Sequence, residues 1–176
     1  MGELVEISMV GKNLNLYKQL LDFLIKYTNE EYIIKSIKVM DNWKYDNIFE
    51  LSSLSEINKY IIEKIICIDI KTVKNKNIGE SIESKKDMFY IEGWFNFSEE
   101  ITRHKYENLI NNFVVNFKNN ESINVCGIGK EIMVNYDSGI LQAIEESHNI
   151  DLWMISGDYS NYKFKNTDQN FIFLNN

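Results

Sequence analysis

Proline is absent from this chain, and cysteine and histidine occur only twice each. Cys67 and Cys126 lie far apart among apolar, strand-like neighbours, so free buried thiols are expected ahead of a disulfide or a metal pair. No run of about 18 apolar residues exists and no charged-then-apolar leader opens the chain. Neither a membrane span nor a secretory signal is therefore expected, and the cytoplasm is the expected location. Basic charge is also short: 19 Lys and Arg stand against 26 Asp and Glu, for a net charge of −7. That balance argues against non-specific binding to nucleic acid or anionic membranes, both of which need a basic footprint.

Asn, Ile, Lys and Tyr are abundant, as in proteins from AT-rich bacterial genomes. A hydrophobic content of 44% over 176 residues is enough for a core. The acids are concentrated. Between residues 131 and 160, Glu131, Asp137, Glu145, Glu146, Asp151 and Asp158 occur with no Lys or Arg, so this window holds nearly all of the net charge.

The most apolar short stretch is Met88 to Phe97. Side chains alternate along a strand, so Phe89, Ile91, Phe95 and Phe97 point one way and Met88, Tyr90 and Trp94 the other. Bulky groups on both faces predict a strand in the middle of a sheet, and Gly93 predicts a bulge or a close backbone approach.

Around it, Glu3 to Val10 reads as a strand, and Leu14, Tyr17, Leu20, Leu21, Leu24 and Tyr27 mark one face of a helix ending near Thr28. Strands follow at 32–40 and 48–51, separated by turn-forming residues at 41–46. Ser53 and Glu56 have capping-box spacing before Leu54, Ile57, Ile61 and Ile65, which predicts a helix. Ile66 to Val73 alternates as a strand. Lys74 to Asp87 shows no period and reads as a mobile loop. Thr102 caps a helix through Phe117. Strands are expected at 123–127 and 131–136, joined by a tight hairpin or bulge at Gly127-Ile-Gly-Lys130, which lacks the further glycines of a phosphate loop. Asp137 is placed to cap a helix reaching His148, a strand follows at 150–156, and residues 162–165 and 171–174 read as a closing hairpin.

The order β-α-β-β-α-β thus occurs twice. The expected class is α+β: either two ferredoxin-like units, 1–75 and 88–176 with a loop at 76–87, or one mixed sheet with helices packed on it, plus the C-terminal hairpin.

Catalytic signals are thin. His104 and Glu107 share a helix face without a third metal ligand, and no serine or cysteine sits in a nucleophile motif. No cofactor is expected, and a carboxylate-based enzyme, with or without Mg²⁺, is the least supported reading. The acidic window, with Tyr136, Trp153, Tyr159 and Tyr162, fits a surface for a basic protein partner, since aromatic anchors in a single-sign field are what such surfaces use, while the alternation of Trp153 with Leu152 and Met154 equally fits a core position for it.

The strand YIEGWFNF, followed by helix, strands, helix, strand and hairpin, resembles the immunity proteins of bacterial polymorphic toxin systems that carry a His-Gly-Trp strand. Gly93 and Trp94 match, with Phe89 and Phe95 flanking, over about Met88 to Leu174. Glu92 stands at the histidine's place, and the later Ser-Tyr-Gly segment has no counterpart. The resemblance implies a cytoplasmic protein that binds and blocks a cognate toxin without catalysis. A phage-encoded inhibitor of a host defence nuclease would need the same surface. The opening ISMVGKN and helix loosely resemble amino-acid-binding regulatory domains, which makes a small-molecule sensor a further alternative.

Overall fold

The computed structural model describes residues 3–74, 76–96, 101–156, 159, 162–164 and 169–174. The expected positions of Phe97 and Asp158 lie outside them. In chain order the elements are β1 (Leu4–Gly11), α1 (Leu16–Thr28), β2 (Tyr32–Met40), β3 (Phe49–Glu50), a 3-10 turn (Leu54–Lys59), β4 (Ile65–Thr72), β5 (Asn77–Lys85), β6 (Met88–Asn96), α2 (Arg103–Phe117), β7 (Ile123–Met133), α3 (Ile140–Glu146), β8 (His148–Ser156) and β9 (Asn170–Leu174). The fold is α+β, and its strands form one sheet in the order β3-β2-β4-β5-β6-β1-β7-β8-β9.

β6 takes the fifth place of nine, the central position expected, but only one of its faces is covered: on the other, Tyr90 and Trp94 are part-buried and Glu92 is exposed. β1 is inserted between β6 and β7, both from the second half of the chain. The boundary expected near residue 75 therefore divides no sheet, and of the two expected arrangements the single mixed sheet is the one present.

One face of the sheet carries the main core. Val5, Ile7, Met9, Ile68, Ile82, Ile91 and Phe95 meet Leu20, Leu24 and Phe23 of α1 and Leu109, Phe113 and Phe117 of α2. The helical stripes fall where their spacing places them. Asn29 ends α1 in the left-handed conformation, with φ 49°, and the Thr102 hydroxyl caps α2 by accepting from the Lys105 N–H. Gly93 is a close approach: a Cβ there would stand 2.9 Å from Leu24 and 3.0 Å from Leu20, so its absence lets α1 sit down on β6.

Five expectations are corrected. The loop at 76–87 is mostly β5, an interior strand paired to β4 and β6 along its length. Ser53 makes no cap bond; its hydroxyl pairs with Ser55, while Glu56 accepts from the Ser52 N–H, and a 3-10 turn forms in place of an α-helix. The strands expected at 123–127 and 131–136 are one strand, β7, ending at Met133; of the hairpin or bulge expected at Gly127 to Lys130 no hairpin forms, and a bulge-type irregularity is present, the register against β8 shifting between Ile128 and Gly129 and again between Gly129 and Met133. Asp137 does not cap α3; its N–H is taken by the Asn135 side chain, and Gly139, at φ 101°, opens the helix. The tail strand β9 runs parallel to β8, and residues 162–164 form no strand, the Phe164 ring stacking on Phe171 at 4.8 Å instead.

The two glycines of β7 make room across the strand pair. Gly127 lies beneath the Trp153 ring, and a Cβ on Gly129 would fall 1.9 Å from the Asn149 carbonyl oxygen. Backbone cannot yield as a side chain tip can. Gly129→Ala is expected to cost about 2–3 kcal/mol, seen as a fall in Tm of about 4–12 °C by calorimetry; an unchanged Tm would show that β7 and β8 are not this close.

Candidate functional site

The opposite face of the sheet is covered only in part. Over β7 and β8, α3 and its flanks bury Val125, Ile144, Ile150, Trp153 and Ile155. Over β4, β5 and β6 no helix of the described residues lies on this face, and alternate residues of those strands face outward. The strand registers line them up: Cys67, Ser81, Glu92 and Ser8 form one row, and Asp69, Gly79, Trp94 and Glu6 the next.

These rows floor a hollow of about 650 Å³ that includes Glu6, Glu92, Trp94, Ser81 and Trp43. Two adjoining hollows share Glu92 and extend towards α3, one past Tyr136 and Asp137 and the other past Glu146 and His148. Trp94 lies over Gly79, where a Cβ would stand 2.0 Å from the indole ring. Trp43 comes from the loop after β2, which is held by Asn47 and Lys64 bonds to Asp41 and by an Asn42 bond to Asp46. Its indole N–H donates to Glu83 at 3.2 Å. Tyr90 and Tyr136 pack at 5.3 Å, and the Tyr136 hydroxyl bonds Ser8 Oγ at 2.8 Å.

The carboxylates are unequally compensated. Glu83 is paired with Lys85 at 3.0 Å, and Lys85 also reaches Asp137 at 3.7 Å. Glu6 accepts from the Ile132 N–H at 2.8 Å, yet burial and then Glu131 hold its carboxyl above the usual range. Glu92, exposed on the floor of the hollow, is also raised, first by partial desolvation and then by Glu6 and Glu83, with Lys85 acting the other way. Lys35 and Lys38 stand at the far rim.

Of the residues read from sequence, Tyr136, Asp137, Glu145, Glu146, Tyr159 and Tyr162 come together around α3. Glu145 accepts from the Tyr162 hydroxyl at 3.0 Å and Glu146 from Gln142 at 2.7 Å. Glu131 is exposed further along β7, at φ 50°. Asp151 goes elsewhere: it is the extra residue of a bulge in β8 and accepts from Tyr106 of α2, on the other face of the sheet. The acidic window is therefore not a single patch. Glu6, Glu83, Glu92, Trp43 and Trp94 extend its α3 part across the open face, and their spacing along the chain gives no sign that they meet.

Nucleophilic and metal chemistry find little here. Burial pushes the Cys67 thiol up to about 11, which removes the thiolate at neutral pH. Cys126 is buried on the helical side, its thiol also raised by burial. Glu107 pairs with Arg103 at 2.7 Å and His104 bonds Asn108 at 3.2 Å, and among the described residues no three His, Cys, Asp or Glu converge for a metal. Among them too, no helix is long and apolar enough to cross a membrane. No protein-family model and no curated protein sequence matches the chain.

Proposed function

We propose that this chain is a non-enzymatic inhibitory binding protein, an immunity protein or antagonist of a nuclease or other basic partner, acting through the open face of its sheet and the adjoining α3 surface. The observation that supports this most is continuity. Glu92 lines all three adjoining hollows, so Glu6 and Glu92 join Asp137 and Glu146 along one surface studded with Trp43, Trp94 and Tyr90. Aromatic groups supply buried area and the acids supply steering and register, while the nine-stranded sheet holds both in place before the partner arrives.

If the chain is an immunity protein, the product of the neighbouring gene is the partner to try. Purified together, the two should form a complex whose association slows as salt is raised, because the acidic field is screened. Titration calorimetry or surface plasmon resonance at two ionic strengths reads this directly. No complex with that product, or one indifferent to salt, would count against the proposal.

A further inference from the structure

We infer that the hollow over β5 and β6 is the seat of a single arginine side chain supplied by the partner, its guanidinium bonded to Glu92, Glu6 and Ser81 and stacked on Trp94. This rests on the binding role proposed above and gives that surface its central contact.

Four features of the hollow carry it. Glu92 accepts no hydrogen bond among the described residues, and Glu6 accepts only the Ile132 N–H, so carboxylate oxygens remain for an incoming donor. Ser81 is 4% exposed, faces the same side as Glu92 and lines the hollow. Its hydroxyl has no hydrogen-bond partner among the described residues. Its oxygen is not shut into the core but opens on the hollow beside Glu92, where an entering donor can reach both. Trp94 is half-buried with its indole over Gly79, beside Glu6 in register.

Arginine fits these groups better than lysine. Its planar fork offers five donors to the two carboxylates and the hydroxyl while its face stacks on an indole, whereas an ammonium is a compact point charge. A cation also relieves the repulsion between Glu6 and Glu92. Lys35 and Lys38 line the β2 side of the hollow, and Lys85, which also acts on Glu92, is held by Glu83 at 3.0 Å.

Two of the three tryptophans, Trp43 and Trp94, line the hollow, and Trp153 is fully buried, so intrinsic fluorescence reports on the site. The probe is acetyl-arginine amide, with acetyl-lysine amide and acetyl-citrulline amide as comparisons. A saturable change is expected with the arginine compound, at least tenfold weaker with the lysine compound and absent with the uncharged citrulline one. Glu92→Gln should weaken it at least tenfold, and Ser81→Ala measurably. A linear response, or equal binding by Glu92→Gln, overturns the inference. A complex with the neighbouring gene product that survives Glu92→Gln unchanged overturns the arginine seat and leaves the inhibitory role standing.

Discussion

Glu80→Met is expected to make the protein more stable at neutral pH, by about 2–4 kcal/mol. Glu80 sits in the middle of β5 on the helical side, fully buried, and among the described residues neither carboxylate oxygen has a hydrogen-bond partner. Its neighbours across the strands are Ile68 and Gly93. Burial, with Asp22 of α1 adding repulsion, pushes its pKa well above the ordinary 4.5.

The consequence for stability has a sign. A carboxyl raised on folding holds its proton in the native state after the unfolded chain has released it, so stability is full below about pH 4.5 and is lost as pH rises towards the folded-state value. The advantage of Met over the wild type should therefore be small in acid and grow with pH. Glu80→Gln removes the charge but keeps a buried polar group, and should recover only part of the gain. Urea unfolding from pH 4 to 8 measures all three. A Met variant less stable than wild type at every pH would mean that Glu80 has a partner inside the core.

The second large effect concerns association. The double reversal Glu6→Lys with Glu92→Lys turns the floor of the hollow from attraction to repulsion, and against a basic partner it should weaken binding at least a hundredfold, about 2.7 kcal/mol. Part of the loss will be in the association rate at low salt. Glu83→Gln should do less, because Lys85 and Trp43 already compensate that carboxylate. Stopped-flow association and equilibrium titration separate the two contributions. A double variant that binds within threefold of the wild type would place the interface elsewhere.

Much of this architecture is legible in residue order. The stripe Leu20, Leu21, Leu24 and the stripe Leu109, Phe113, Phe117 find their helices because each repeats at the helical period and ends on its own cap. β6 reads as central because both its faces are bulky. β5 was hidden by its own chemistry. Ile78 and Ile82 flank Glu80 on one face, and Gly79, Ser81 and Glu83 fill the other, so a strand covered on one side only looks like polar loop. β7 was split in two by Gly127 and Gly129, which are there for Trp153 and Asn149 and not for a turn.

The site was harder to see because it depends on strand order. Glu6 and Glu92 are remote in sequence and become neighbours only when β1 pairs with β6, a long-range choice that local periodicity does not encode. Asp151 shows the converse. It is close in sequence to Glu145 and Glu146, but one bulge in β8 turns it to the other face of the sheet. Charge localised along a chain is thus a guide to a surface only after the strand faces are known.

The claim that recognition occurs on the open face, and not on the helical one, is tested most directly by two single charge reversals placed on opposite sides of the sheet. Binding of the neighbouring gene product is measured by titration with Glu92→Lys and with Asp151→Lys, each first checked for a native thermal transition. The prediction is a loss of at least tenfold for Glu92→Lys and a change within threefold for Asp151→Lys. Equal losses, or a loss confined to Asp151→Lys, would contradict it.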